Sequence, residues 1–143
     1  MELKHRVLVK LDEMDRYLHE LEELMPSSEE EYVQDLKTKR ACEKTVQLAI
    51  ETVIDMTQMI VSDNRLGVPK SEDDLIDILE TKKIISKELF AKVKEMKGFR
   101  NILIHKYGEV DDALVYQFLT EEIDDFVLFK REIQEYLRSL NKK

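Results

Sequence analysis

The sequence contains very little glycine, proline or cysteine. Its 143 residues include 3 Gly, 2 Pro and 1 Cys, whereas Gly and Pro usually make up about 7% and 5% of a protein. Because these two residue types form many turns, their scarcity predicts few and long elements, which favours helices. A single cysteine excludes an intramolecular disulfide framework, and Cys42 is expected to be a small packed residue.

Long apolar runs and the common motifs for metals and nucleotides are also absent. No apolar run approaches the roughly 20 residues that a membrane-spanning helix needs, and the N-terminus lacks a signal-peptide core. The sequence has no HExxH motif, no paired-aspartate metal motif, no P-loop and no glycine-rich phosphate loop. We therefore expect a cytoplasmic protein without a membrane segment, a metal site or a cofactor.

Apolar residues recur at steps of three and four along much of the chain, as expected of helices with one buried face. This periodicity predicts a first helix from Glu2 to Met25 and an unbroken helix from Ser28 to about Ser62, buried on more than one side. Ser71 to Asp74 resembles a capping box at the start of a short helix. Ser86 and Asp111 are the expected N-terminal caps of later helices.

Together these elements predict an all-α fold, an up-and-down bundle of four long helices plus a short helix. The length predicts a single domain, residues 1–143. The helical stretch after Asp111 is expected to break near Thr120. Four acids beside that break are expected to form a solvated helix turn rather than a metal site; they are Glu121, Glu122, Asp124 and Asp125.

Charge is unevenly distributed along the chain. Charged residues make up 38% of the sequence and the net charge is −8, which argues against nucleic-acid binding by the whole surface. The segment from Lys82 to Lys106, however, holds eight basic and two acidic residues, a local net charge of +6. The rest of the chain therefore carries a net charge of −14, and this is the one basic segment of an acidic protein.

The basic segment ends in a cluster of potentially reactive side chains, Arg100, His105 and Tyr107, with the spacing Arg-x4-His-x-Tyr. The cluster lies at the predicted end of the fourth long helix, which Gly108 is expected to stop. At about 100° per residue, Arg100 and His105 point about 140° apart on a helix. Either the helix is distorted near its end, or a second copy of the chain supplies the missing group; we favour the second copy.

These residue types suit cleavage of a phosphodiester. Arginine presents a permanent charge and a planar fork to a phosphate, and histidine exchanges protons near neutral pH. In RNA the 2′-hydroxyl would attack the adjacent phosphorus, with His105 moving protons and Arg100 stabilising the phosphorane. An arginine and a histidine at a helix end also occur without catalysis, as partners of the helix dipole or of surface groups.

The residues Arg100-Asn101-Ile102-Leu103-Ile104-His105 match the Arg-x4-6-His motif of HEPN domains. The added Tyr107 makes the segment resemble the Arg-x4-His-x-Tyr motif of HepT-like toxins of toxin–antitoxin pairs. The resemblance implies a homodimeric HEPN bundle in which both copies of Arg100 and His105 form a metal-independent endoribonuclease site. We expect three neighbours to bind RNA or support the site, namely Lys97, Asn101 and Lys106.

HepT-like toxins resemble one another in being paired with a minimal nucleotidyltransferase (MntA-like) antitoxin. The resemblance therefore implies such a partner, which would inactivate this chain by transferring AMP to Tyr107. The added phosphates would place negative charge beside Arg100, where an anionic substrate would otherwise bind.

Two other interpretations remain open at the level of sequence. The chain is alternatively a non-catalytic module that binds nucleotide or substrate for a separate nucleotidyltransferase, with Arg100 as a phosphate anchor. It is otherwise a plain helical scaffold, in which case the basic segment would lie away from any cleft.

Overall fold

A computed structural model of the protein describes residues 2–105 and 109–140, and within these ranges it contains seven α-helices and no strand. The prediction of an all-α helical bundle is confirmed, and the four longest helices are α1, α3, α5 and α7. The three short helices replace the single short one that was predicted. The bounds are α1 Leu3–Leu24, α2 Glu29–Gln34, α3 Leu36–Asp63, α4 Glu72–Thr81, α5 Lys87–His105, α6 Asp112–Glu121 and α7 Asp124–Leu140.

The prediction of an unbroken helix from Ser28 to Ser62 is wrong, because the chain breaks at Asp35. This residue has extended backbone angles and ends α2. Its carboxylate accepts hydrogen bonds from the backbone N–H of Thr38 at 3.2 Å and from the Thr38 hydroxyl at 2.7 Å. Aspartate competes in this way with helix continuation, and here it caps the new helix α3.

The core is built around α3, which contacts α1, α2, α4, α5 and α6. The prediction of a central helix buried on several sides is therefore confirmed for residues 36–63. Cys42 lies in this helix and is fully buried, as expected, with its Sγ 4.0 Å from the sulfur of Met25. No helix in the described ranges combines the length and apolarity that a bilayer crossing would need.

The predicted N-terminal caps are present at α4, α5 and α6. The Ser71 hydroxyl accepts a hydrogen bond from the Asp74 N–H at 3.1 Å, and that of Ser86 accepts one from the Leu89 N–H at 3.1 Å. Asp111 caps α6 through its carboxylate. Each cap satisfies a backbone donor that the helix itself leaves free, worth about 1 kcal/mol.

Helix α5 is fixed at its start and along its buried face. The backbone N–H and the hydroxyl of Ser86 both donate to the Glu132 carboxylate of α7, each at 2.6 Å. Near the other end, the ring of Phe99 stacks on that of Phe118 from α6, with centroids 4.1 Å apart and planes 5° apart. These contacts set the direction in which the remaining faces of α5 point.

Candidate functional site

One face of α5 carries three basic residues at steps of three, Lys94, Lys97 and Arg100, and it faces the N-terminal half of α4. The acids Glu72, Asp73 and Asp77 of α4 pair with these cations. The three cations and three acids form what we call the α4–α5 charge contact. Helix α4 contains five acids and no basic residue, so it complements the basic helix.

Arg100 is the most buried member of the charge contact. The residue is only 9% exposed, and one of its terminal nitrogens, Nη2, donates to Oε1 of Glu72. Its Nε is buried and has no hydrogen-bond partner in the described part of the chain. Because a buried cation is costly without a counter-charge, Glu72 is the group that makes the burial of Arg100 tolerable.

The two lysines of the contact are more exposed than Arg100. Lys97 lies 3.0 Å from Asp73, and Lys94 lies 3.0 Å from Asp77 and 3.5 Å from Asp73. The hydrogen bond from Lys97 and the charge of Lys94 lower the pKa of the Asp73 carboxyl. The pKa of Lys94 is raised: partial desolvation opposes the shift, but the bond to Asp77 and the charges of Asp73 and Asp77 outweigh it.

This pairing corrects the interpretation of the basic segment from Lys82 to Lys106. The local charge of +6 counts only the residues of this segment and does not include the acids of α4. In the folded chain, three of the eight basic residues face acids of α4. The segment is therefore a partly neutralised face and not a freely exposed basic surface.

His105 lies on a different face of α5 from Arg100. The side chains at 91, 95, 98, 102 and 105 are spaced by four and three residues, and they lie on one exposed or half-exposed stripe of the helix. We call this the outer stripe; it consists of Ala91, Glu95, Gly98, Ile102 and His105. His105 is exposed at the end of α5, and Asn101 is half-buried beside the stripe.

The outer stripe borders an open groove of about 350 Å³ between α5 and α6. A Cβ atom added at Gly98 would meet no heavy atom within 4 Å. The apolar side chains of Ile104 and Leu114 are 41% and 40% exposed. The surface next to His105 is thus apolar in part and open to close approach.

The structure does not bring Arg100 and His105 together within one chain. Helix α5 runs without interruption from Lys87 to His105, so the predicted offset of about 140° between the two side chains stands. The alternative of a distorted helix finds no support in these residues. Lys106, Tyr107 and the expected helix stop at Gly108 lie outside the described residues.

Three carboxylates gather at the far end of the groove and could hold a cation. Oxygens of Glu95, Glu122 and Asp125 lie within 4.8 Å of one another. Desolvation by burial, with repulsion from Glu95, raises the pKa of Glu122, and desolvation likewise raises that of Asp125 despite the nearby Lys92. The prediction of a fully solvated turn is therefore wrong for Glu122 and Asp125, which are half-buried.

Comparison with known proteins identifies the family. The family described as "Ribonuclease HepT-like" matches residues 14–133, most of the chain. The chain belongs to the HepT-like family. The resemblance noted from the Arg-x4-His-x-Tyr motif is confirmed by this match, and so is the expectation of a ribonuclease.

Two curated relatives carry related names. The chain is 25% identical to the "tRNA nuclease HepT" of Aphanizomenon flos-aquae over 134 residues, 94% of this chain and 91% of that protein. It is 28% identical to the "mRNA nuclease HepT" of Shewanella oneidensis over 99 residues, 69% of this chain and 74% of that protein. The names of the two relatives differ in the class of RNA.

The fold of the HepT-like chain matches a solved structure closely. That structure is the tri-AMPylated HEPN toxin of Shewanella oneidensis in complex with an MNT antitoxin. The TM-score is 0.83 at 24% identity, with 90% of this chain and 96% of that chain covered. The likeness confirms the HEPN fold.

Sequence reasoning about this HepT-like chain missed the acids that face Arg100. The segment Ser71 to Asp74 was interpreted as a helix cap, which it is, but Glu72 and Asp73 also pair with α5. The available signal was charge complementarity between two consecutive helices, one with five acids and one rich in lysine. That signal does not identify which acid contacts which cation.

Proposed function

We propose that this HepT-like protein is a metal-independent endoribonuclease toxin whose active site forms between two copies of the chain. The observation that carries the proposal is the separation of Arg100 and His105 on two faces of one continuous helix. A two-fold axis beside the C-terminal end of α5, with the outer stripe in the contact, would bring both copies of Arg100 and His105 to one cleft. The proposal treats residues 1–143 as one HEPN domain.

The chemistry assigned to the dimer follows from the two side chains. The 2′-hydroxyl of RNA attacks the neighbouring phosphorus, the bond to the 5′-oxygen breaks, and a 2′,3′-cyclic phosphate remains. His105 moves the protons in this exchange, and Arg100 stabilises the charge that develops on the phosphorane oxygens. Lys97, Asn101 and Lys106 are proposed to bind the RNA backbone or to support these groups.

The first prediction concerns cleavage. The purified, unmodified protein should cleave RNA in the presence of EDTA and leave 2′,3′-cyclic phosphate ends. Arg100→Ala and His105→Ala should each lower the cleavage rate by about 10²- to 10³-fold, because each removes charge stabilisation or proton transfer. Cleavage is measured on end-labelled RNA, with circular dichroism to verify folding.

EDTA is essential to this assay because Glu95 and Glu122 line the groove beside the outer stripe and, with Asp125, could hold a cation. Cleavage that needs an added divalent cation would contradict the metal-independent mechanism. Equal cleavage by the wild type and both variants would exclude the proposed site.

A second prediction tests the face that we assign to the dimer. In the single chain, a Cβ atom added at Gly98 meets no heavy atom within 4 Å, and the position is exposed, so Gly98→Trp and Gly98→Ala should both fold. The large indole should block the approach of a second copy, which makes the Trp variant monomeric and as weakly active as the Arg100 variant. Gly98→Ala is the matched control and should stay dimeric and active, as measured by light scattering with the cleavage assay.

If Gly98→Trp remained dimeric and cleaved RNA normally, the outer stripe would not be the interface. If the wild type were monomeric at micromolar concentration and still cleaved RNA, the composite site itself would be wrong.

The toxin is proposed to be switched off by a minimal nucleotidyltransferase antitoxin that modifies Tyr107. Support comes from the position of Tyr107 two residues after His105 and from the AMPylated state of the Shewanella oneidensis toxin in its complex with an MNT antitoxin. Transfer of AMP from ATP joins the tyrosine oxygen to the α-phosphorus and releases pyrophosphate. The anionic adduct would compete with RNA phosphate for Arg100.

The third prediction follows from this switch. Co-expression with the antitoxin should increase the intact mass of the toxin by one or more AMP groups and abolish its cleavage. Tyr107→Phe should keep the unmodified mass, because phenylalanine lacks the accepting oxygen, and should stay active. AMP on the Phe variant would show that another residue is the acceptor.

The burial of Arg100 favours one alternative, a non-catalytic module that binds a nucleotide or substrate for the nucleotidyltransferase. An arginine that is 9% exposed and already paired resembles an anchor more than a mobile catalytic group. Calorimetric binding of ATP by the wild type, lost in Arg100→Ala, together with no RNA cleavage, would favour this alternative.

A further inference from the structure

We infer that Glu72 is a positioning residue for Arg100, holding the guanidinium in the orientation that the RNA phosphate requires. The inference rests on the proposed ribonuclease function and extends it to a residue outside the Arg-x4-His-x-Tyr motif. Glu72 is 28 positions from Arg100 in the sequence and lies on α4, the helix packed against that face of α5.

The first support is the geometry of the ion pair. The contact joins one guanidinium nitrogen, Nη2, to one carboxylate oxygen of Glu72. A one-nitrogen contact holds one end of the guanidinium against α4 and leaves its other N–H donors without an acceptor from Glu72. A bidentate pair would instead occupy two of the donors that a phosphate uses.

The second support is the incomplete bonding of a nearly fully buried side chain. The Arg100 side chain is 11% exposed, yet its Nε has no partner in the described ranges. A buried donor without an acceptor is unfavourable, so the site holds a guanidinium whose hydrogen bonding is unfinished. Nε itself is enclosed by protein, so a phosphate oxygen would add its acceptor at the terminal nitrogens of the guanidinium.

The third support is the position of the Glu72 carboxylate at the start of a helix that is packed against α5. Glu72 is the first residue of α4, directly after the capping residue Ser71. The neighbouring pairs of Asp73 with Lys97 and of Asp77 with Lys94 hold the same helix against α5. Glu72 therefore lies at a helix end that contacts α5 at several points.

A fixed guanidinium matters because an arginine side chain otherwise samples many rotamers. Substrate binding would have to order that side chain before any charge could be stabilised. If the guanidinium is already oriented, the reacting state no longer bears this cost. Loss of the orientation should therefore lower kcat more than it changes KM.

The same contact has an opposite interpretation, in which Glu72 merely masks Arg100 from RNA. The two interpretations predict opposite effects of removing Glu72 on the cleavage rate. If Glu72 masks Arg100, its removal exposes the cation and speeds cleavage. If Glu72 orients Arg100, its removal leaves the guanidinium badly oriented and slows cleavage.

The test compares Glu72→Gln, Glu72→Ala and Glu72→Asp with the wild type in the EDTA cleavage assay. Glu72→Gln and Glu72→Ala should lower kcat by about 10- to 100-fold with little change in KM, because misorientation acts on the reacting state. Glu72→Asp keeps the charge with a shorter stem and should recover part of the lost rate. Glu72→Gln, which keeps the size of the side chain, decides the question if Glu72→Ala fails to fold.

Asp77→Asn is the matched control. It also removes an α4 carboxylate from the charge contact, but its partner Lys94 has no assigned role in cleavage. This variant should cleave RNA at the wild-type rate. A loss equal to that of Glu72→Gln would mean that general weakening of the α4–α5 packing, and not the position of Arg100, is responsible.

Wild-type or faster cleavage by Glu72→Gln would overturn the inference while the ribonuclease function stands. Absence of cleavage by the wild type itself would instead reject the ribonuclease function, and the role of Glu72 would be rejected with it. The two failures are therefore distinguishable in one assay.

Discussion

The ion pair between Arg100 and Glu72 is the interaction on which the candidate site depends. It holds a largely buried cation at the contact between α4 and α5 against a carboxylate whose side chain is 38% exposed. The flanking lysine pairs are more exposed, and each is worth about 0.2–1 kcal/mol. Because Arg100 is the most buried cation of the contact, its pairing with Glu72 contributes most to where the guanidinium lies.

That face of α5 packs against α4, whereas His105 is exposed on a different face of the same helix. Helix α5 thus carries Arg100, which is paired with another helix of the same chain, and His105, which is exposed at the surface. The groove beside the open position at Gly98 gives such an approach room. The proposed site therefore needs a second copy of the chain, because one copy does not direct His105 towards its own Arg100.

Short-range sequence patterns predicted most of the fold, but they did not predict which helices and side chains pair with one another. The caps at Ser71 and Ser86 and the buried face of α3 follow from short-range patterns, and all are present. The break at Asp35 was missed because one side chain bonding to a backbone N–H outweighs a long apolar periodicity. Glu72 was missed as a partner of Arg100 because charge patterns along a chain do not specify which helices pack together.

Subunit mixing tests the composite site most directly. Arg100→Ala and His105→Ala proteins, each inactive alone, are combined under conditions that allow dimers to exchange. Mixed dimers then contain one intact Arg100 and one intact His105 on different copies, and cleavage should return to a substantial fraction of the wild-type rate. A mixture that forms mixed dimers by mass spectrometry yet stays as inactive as its parents would contradict a site shared between two copies.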